Sequence, residues 1–460
     1  MSVLLVVPGL ISLFLVLRGR IETAFLSVFL PCLLLLPENY SFRIPHFTPL
    51  TAAEFALIPL GVVGLSRWLR GRSFALMDIL VLLYAASVSL SEILHAHILN
   101  DAILSAINVV VTMVFAYMVG RKLIEPDLRL ATVRRFVVLV LLDFTPGLWE
   151  WRMSQSLYGI FGHRVLGLTN IGESVQRRNG RGRMGEVFNG SEPGGIAFAM
   201  TFCLNAWLAY LRKVKAPVKL GKTLTKLENY HVAGLVLILC VWFTQARGPL
   251  VALAAGYFIL HMSLSKNIKR NVKLRTFVIA VLLVGGYMGT SAYIDTYTSV
   301  ATAQNEQQGS AIYRREMNRI YAPIAEAGGW TGWGIGGIPH VEGKMSIDNH
   351  YLLVHLAWGR LGYYLFLMIA LENMRVLVVR SWQFKTMQDR AFAFSMLAAM
   401  TVLWIALVTV FLGGQLPEIS FLLIGWGQSL VPGKPSAAPV AGAASPSRVP
   451  LPAGITGTRG

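Results

Sequence analysis

The sequence predicts an all-α, polytopic membrane protein with about 12–13 transmembrane helices and two long loops on the outer side. Three observations carry that expectation. Of 460 residues, 55% are apolar and only 14% charged, and the mean hydropathy is +0.57. Such values lie beyond those of soluble domains, so a soluble enzyme is excluded. The apolar residues gather into runs near 3–17, 21–37, 50–66, 74–92, 102–120, 136–151, 194–211, 231–246, 248–263, 276–293, 351–371, 391–412 and 417–431. Each approaches the roughly 20 residues that cross a bilayer, or somewhat fewer where flanking side chains snorkel. Finally, Lys and Arg segregate between alternate connections.

The first two runs are short and contain Pro8 and Pro31, so they read as two spans or as one broken hairpin. The opening MSVLLVVPGL has no basic n-region and no small-residue cleavage site, which predicts a retained first span. Placing residues 18–20 in the cytoplasm puts 28 of the 41 Lys and Arg on that side and 12 outside, with Arg360 inside a span. Eleven of the twelve lysines fall inside, and Lys344 is the exception. The formal charge of +18 is therefore the signature of cytoplasmic loops facing membrane lipids, and no nucleic-acid partner is expected. Cys32, Cys203 and Cys240 all lie within apolar runs, so neither disulfide nor zinc chemistry is predicted. The expected organisation is helices over 1–151, an Arg-rich outer loop at 152–193, helices over 194–293, a large outer loop at 294–350, helices over 351–431 and a disordered tail at 432–460, rich in Pro, Ala, Gly and Ser.

The outer side holds eleven arginines and one lysine. Attraction to lipid headgroups would use either residue, whereas gripping phosphate in bidentate fashion favours the planar guanidinium. Four elements share this side. QRRNGRGRMGEVFNGSEPGG carries Arg177, Arg178, Arg181 and Arg183, the last nearest the membrane. TQARGP forms so short a hairpin that Arg247 sits at the outer mouth between two spans, either snorkelling to headgroups or clamping phosphate. GSAIYRREMNRIYAPIAEAGGW repeats Tyr313, Met317, Ile320 and Ile324 at helical spacing, which predicts an amphipathic helix lying on the membrane with Arg315 and Arg319 on its polar face. GGWTGWGIGG comes next, its glycines suited to close backbone approach to a ligand, with Trp330 and Trp333 as flat faces for sugar. In the fourth element, IDNHYLLVHLAWGRLG, Asp348, Asn349 and His350 stand at the mouth of a span. Asp348 or His350 is suited to act as a general base; the other reading makes Asp348 a helix N-cap. His95 and His97 lack metal-ligand spacing, and no metal is predicted.

In order and spacing, RMGEVFNGSEPGG, TQARG, YRREMNRIYAPIAEAGGWTGWGIGG and DNHYLLVHLAWGRLG resemble the O-antigen ligase and polymerase superfamily over roughly residues 180–375. The resemblance implies a GT-C-like glycosyltransferase of the bacterial inner membrane with no cofactor, acting on an undecaprenyl-pyrophosphate-linked oligosaccharide at the periplasmic face. It also implies partners in polysaccharide assembly, such as a flippase and a chain-length regulator. By position, Arg183 and Arg247 correspond to family arginines that hold pyrophosphate, and the Asn349 region to the base-bearing segment. Ligases carry His just before that Asn, whereas this chain has Asp348 before it and His350 after. That departure favours a polymerase of exopolysaccharide or O-antigen repeat units over a ligase. Catalysis is expected from Asp348, His350 and Arg247, with Arg181, Arg183, Arg315, Arg319, Trp330, Trp333 and Asn349 binding substrate, and Glu186 and Glu192 as reserve bases. A glycan transporter, the alternative of another class, would carry ionisable residues deep in its spans. Asp78 and Asp143 are the candidates, neither with an evident intramembrane cation.

Overall fold

Short polar side chains start several helices. Thr51 Oγ1 accepts from Glu54 N at 3.1 Å while the Glu54 carboxylate accepts from Thr51 N at 2.6 Å, a reciprocal cap on two otherwise orphaned amides. Thr386 caps a later helix by accepting from Asp389 N at 3.1 Å. The computed structural model describes residues 2–42, 49–71, 74–96, 98–168, 172–178, 180–213, 230–263, 306–343, 346–384 and 386–431. Within them run α1 (Val7–Leu17), α2 (Ile21–Leu35), α3 (Ala52–Arg70), α4 (Leu76–His95), α5 (Leu99–Lys122), α6 (Arg129–Leu142), α7 (Phe144–Met153), α8 (Leu157–Arg164), α9 (Ser191–Lys213), α10 (Tyr230–Phe243), α11 (Arg247–Ser263), α12 (Glu306–Ala327), α13 (His350–Gln383), α14 (Met387–Ala406) and α15 (Leu416–Ser429). Two antiparallel ribbons accompany them: β1 (Ser41–Phe42) with β2 (Leu50–Thr51), and β3 (Arg177–Arg178) with β4 (Arg181–Gly182).

The described residues are thus mostly helical, and α3, α4, α5, α9, α13 and α14 are long and apolar enough to cross a membrane. Helices α1, α2 and α10 are shorter and equally apolar. Twelve of the thirteen apolar runs carry helix; the run at 276–293 and the tail at 432–460 lie outside the described residues. Helix α2 loosens into a π-turn at Phe25–Phe29 ahead of Pro31, and Arg135 Nε donates to the Leu26 carbonyl in that stretch at 3.1 Å.

Helix α14 is buried along nearly its whole length and forms the centre of the bundle. Helices α5 and α15 cross backbone to backbone, because a Cβ at Gly120 would collide with the Leu422 carbonyl and one at Gly425 with the Tyr117 carbonyl. Between apolar helices in lipid, such close approach is a main source of packing energy.

Segments that alternation assigns to one side meet at one end. Gln415 Nε2 donates to the carbonyls of Leu36 at 2.7 Å and Val187 at 2.6 Å, and His350 N donates to Leu407 O at 3.0 Å. At the opposite end Arg121 reaches Gln428 O, Arg380 reaches Gly427 O, and Arg129 pairs with Asp389 at 2.7 Å.

Two expectations need correction here. Asp78 does have a cation: Arg121 Nε lies 3.4 Å from its carboxylate, and Trp68 Nε1 and the Tyr117 hydroxyl also donate to it. Asp143 is held by the Tyr158 hydroxyl at 2.7 Å. The run at 351–371 is not one continuous helix either. At Gly359 the backbone turns to φ 66°, ψ −165°, and the His350 and Phe366 rings lie 5.0 Å apart. Sixteen residues of straight helix would separate them by about 24 Å, so the segment 350–358 folds back along the remainder of α13.

Candidate functional site

The site begins with the β3–β4 ribbon. Its register pairs Arg177 with Gly182 and Arg178 with Arg181, and a Cβ at Gly182 would strike the Glu150 carbonyl. The ribbon grips the hairpin between α10 and α11. Arg178 donates to Gln245 O at 2.7 Å, Arg183 Nε to Thr244 O at 3.0 Å, and Met184 N to Phe243 O at 3.3 Å. The first two of the four sequence elements are therefore one structural unit. The hairpin's residue types follow from its geometry. Gln245 takes a left-handed φ of 53°, Thr244 Oγ1 accepts from Ala246 N at 3.2 Å, and a Cβ at Gly248 would meet Thr409 Oγ1. Arg247 heads α11 with its side chain exposed.

Arg183 is buried and occupied by protein. Besides Thr244 O it reaches Gln176 Oε1 at 3.0 Å and Glu192 Oε1 at 3.2 Å. Burial pushes its pKa down, Glu192 pushes it back up, and the nearby Arg178 and Arg314 cations push it down again. Arg181 is exposed, its guanidinium 4.6 Å from the Trp151 ring, which packs on Phe243.

The second half of the site comes from α12 and the irregular segment leading into α13. The apolar face of α12 is covered by protein: Met317, Tyr321 and Ala325 are buried with Leu356, and Trp333, Ile338, Val341, Ile347 and Leu352 pack around them. The helix does not rest on a membrane through that face, as the sequence had suggested. At about 100° per residue, the buried face centres some 70° from the predicted stripe, and this rotation brings Arg314 inward. Arg314 Nε lies 3.8 Å from Asp348 Oδ2, and Ser346 Oγ donates to Asp348 Oδ1 at 2.7 Å. Arg315 and Arg319 are exposed on the far side. Arg314 is thus the functional candidate that sequence reasoning missed, and the Met317, Tyr321, Ala325 phase was the signal for it.

Asn349, not Asp348, caps α13, its Oδ1 accepting from Leu352 N at 3.3 Å. The His350 ring is buried edge-on to Phe366, and neither of its nitrogens has a hydrogen-bond partner among the described residues. Glu192 is engaged by Arg183, and the Glu186 side chain lies outside the described residues.

The glycine-rich loop serves the break at Gly359. Trp333 N and Gly334 N donate to the carbonyls of Leu356 and Ala357 at 3.0 and 2.8 Å, while Arg360 N and Leu361 N donate to Gly329 O and Trp330 O at 3.0 and 3.1 Å. Cβ atoms at Gly332 and Gly359 would collide with each other's backbone. These two glycines permit close approach of backbone to backbone, where the sequence had suggested approach to a ligand. Trp333 Nε1 donates to Ile324 O at 2.9 Å, whereas Trp330 is 63% exposed. Arg360, donating at 2.6 Å, holds the Glu326 carboxyl below the usual carboxylate range. His95 Nδ1 meets Ser91 O at 2.9 Å, and His97 lies outside the described residues.

The arrangement suits a polyanion approached from the end of the bundle, with a carboxylate beside it. No protein-family model matches the chain, and no curated protein matches it.

Proposed function

We propose that the chain is an inner-membrane glycosyltransferase of the O-antigen ligase and polymerase type. In this reading it joins lipid-pyrophosphate-linked oligosaccharide repeat units into exopolysaccharide or O-antigen at the periplasmic face, with inversion and without a metal. One observation carries the reading: three arginine-bearing segments converge with Asp348 at one end of a bundle of apolar helices.

The roles follow from position and exposure. Arg247 and Arg314 grip the pyrophosphate of the donor, whose lipid tail lies along the helices. Arg183 and Arg178 are positioning residues that fix the hairpin bearing Arg247. Asp348 takes the proton from the acceptor hydroxyl, whose oxygen attacks the anomeric carbon as the bond to the lipid pyrophosphate breaks. The leaving pyrophosphate departs with the electron pair. Fixed guanidinium groups stabilise that developing charge more than the ground state, the task a divalent cation performs elsewhere. His350, buried against Phe366, supports the fold of the α13 segment and is not the proton acceptor in this scheme.

Purified protein given a synthetic lipid-pyrophosphate repeat unit in detergent should form longer glycan. Folded protein that forms no product overturns the reading and leaves a transporter as the alternative. In a deletion strain, loss of long polymer with single repeat units still delivered marks a polymerase. Bare lipid A-core beside intact lipid-linked polymer marks a ligase.

A further inference from the structure

A cavity lined by carboxyl side chains opens at the same end of the bundle as the arginines. It is about 200 Å³, lined by Glu54 at the start of α3, Glu92 near the end of α4, Asn108 and Thr112 on α5, Trp358 just before the break, and Glu418 at the start of α15. Two of its side-chain oxygens have no hydrogen-bond partner among the described residues: Glu418 Oε2, on a side chain 6% exposed, and Asn108 Oδ1. Burying such atoms is costly, so the site is built for a ligand that donates hydrogen bonds. The indole of Trp358 is fixed by its Nε1 donating to Glu92 Oε1 at 2.9 Å and by an edge contact with Tyr84 at 5.9 Å. A rigid ring among carboxylate and amide acceptors matches the mixed polar and apolar faces of a sugar.

We infer that this cavity binds a neutral, hydroxyl-rich saccharide ring, the terminal sugar of the acceptor glycan. Assigning that ring to the acceptor rests on the transferase reading; the saccharide site itself does not. Two considerations select this ligand. Among the described residues no lysine or arginine lines the cavity, so nothing there offsets the charge of a pyrophosphate, and the donor is left to the arginines. Sites for drug-sized ligands run to roughly 300–1,000 Å³, so this one holds about a single ring of a longer chain. Its walls also join the arginine site. Gly414 packs on the Phe188 carbonyl, Gln415 holds Val187 O, and Trp358 adjoins the Gly359 break whose first arm carries His350 and follows Asp348.

The test is equilibrium binding to the purified full chain in nanodiscs, using a panel of neutral methyl glycosides and, separately, farnesyl pyrophosphate. At least one glycoside should bind, and Glu418→Gln and Asn108→Ala should each weaken it about ten- to a hundredfold while leaving farnesyl pyrophosphate within about twofold. Trp358→Phe, which keeps an aromatic face but loses the indole N–H that Glu92 holds, guards against a folding artefact and should weaken the glycoside alone. Arg247→Ala should do the reverse. Absence of binding by every glycoside, binding indifferent to all three cavity variants, or binding of methylammonium alone would overturn the site. Glycoside binding that behaves as expected, in a protein that transfers no glycan, would keep the site and remove the transferase.

Discussion

The two ends of the bundle differ in how much of their charge is exposed. At the end holding Asp78 and Asp389, each of these buried carboxylates has a guanidinium beside it, and further donors complete their shells. At the other end Arg181, Arg247, Arg315 and Arg319 are exposed, while Glu418 and His350 keep buried polar atoms without hydrogen-bond partners among the described residues. The contrast separates charge buried to fasten helices from charge that faces solvent. A paired buried ion contributes little net stability but is expensive to break. A buried polar atom left unsatisfied costs stability, whatever its side chain gains by packing.

The sharpest test of that contrast is Asp348→Asn. It should leave expression and melting temperature at parent values and lower glycan transfer by about 10²- to 10⁴-fold, the range of a lost general base. His350→Phe should transfer at close to the parent rate. If those two results are exchanged, the base is the buried imidazole and the inward face of α13 needs reinterpretation.

Asp389→Ala should act in the opposite sense. It leaves Arg129 buried without its carboxylate, at a cost of about 3–5 kcal/mol, so thermal unfolding in detergent should fall sharply. The double variant Arg129→Met, Asp389→Leu should regain most of that loss. Activity per folded molecule should stay near the parent value, and a selective loss of activity would mean that the fastening end also takes part in transfer.

Arg247→Lys keeps the charge and loses the planar fork. Transfer should drop about ten- to a hundredfold with normal membrane insertion, since one charge-assisted bond is worth roughly 1.5–3 kcal/mol. Near-parent activity would return Arg247 to the headgroups. The smallest effects should come from α12. Arg314→Gln should cost about tenfold in turnover, whereas Arg315→Gln and Arg319→Gln, on its exposed face, should stay within about twofold. Equal losses at all three positions would argue for a diffuse basic field in place of one inward guanidinium.

Hydropathy alone located nearly every helix, because runs of about 20 apolar residues have few alternatives to a bilayer span. The four outer elements were also legible, and the first two do meet through Arg178, Arg183 and the Thr244–Gln245 carbonyls. The features that stayed hidden depend on contacts between distant segments. The fold-back at Gly359 lies inside an apolar stretch whose pattern reads as helix, and the opposing Gly332 loop, with Ser91 and Glu92 of α4, holds the break. Arg183 looked like a ligand because its protein partners, Gln176, Glu192 and Thr244, cannot be seen in its local pattern. The acidic cavity was missed for a similar reason. Glu54 reads as a helix cap and Glu418 as a first-turn acid, yet they line one space although 364 positions separate them in the chain.

The fold-back also bears on how such a chain can change over generations. Gly332 and Gly359 occupy one shared gap, and each forbids a side chain on the other. Replacing either one alone forces the loop off the broken helix and exposes four backbone hydrogen bonds. A single substitution is therefore a dead end, while rebuilding both sides in step is not. Diverging descendants should keep the two glycines or lose them together, so this pair, though 27 residues apart in sequence, is inherited as a single character.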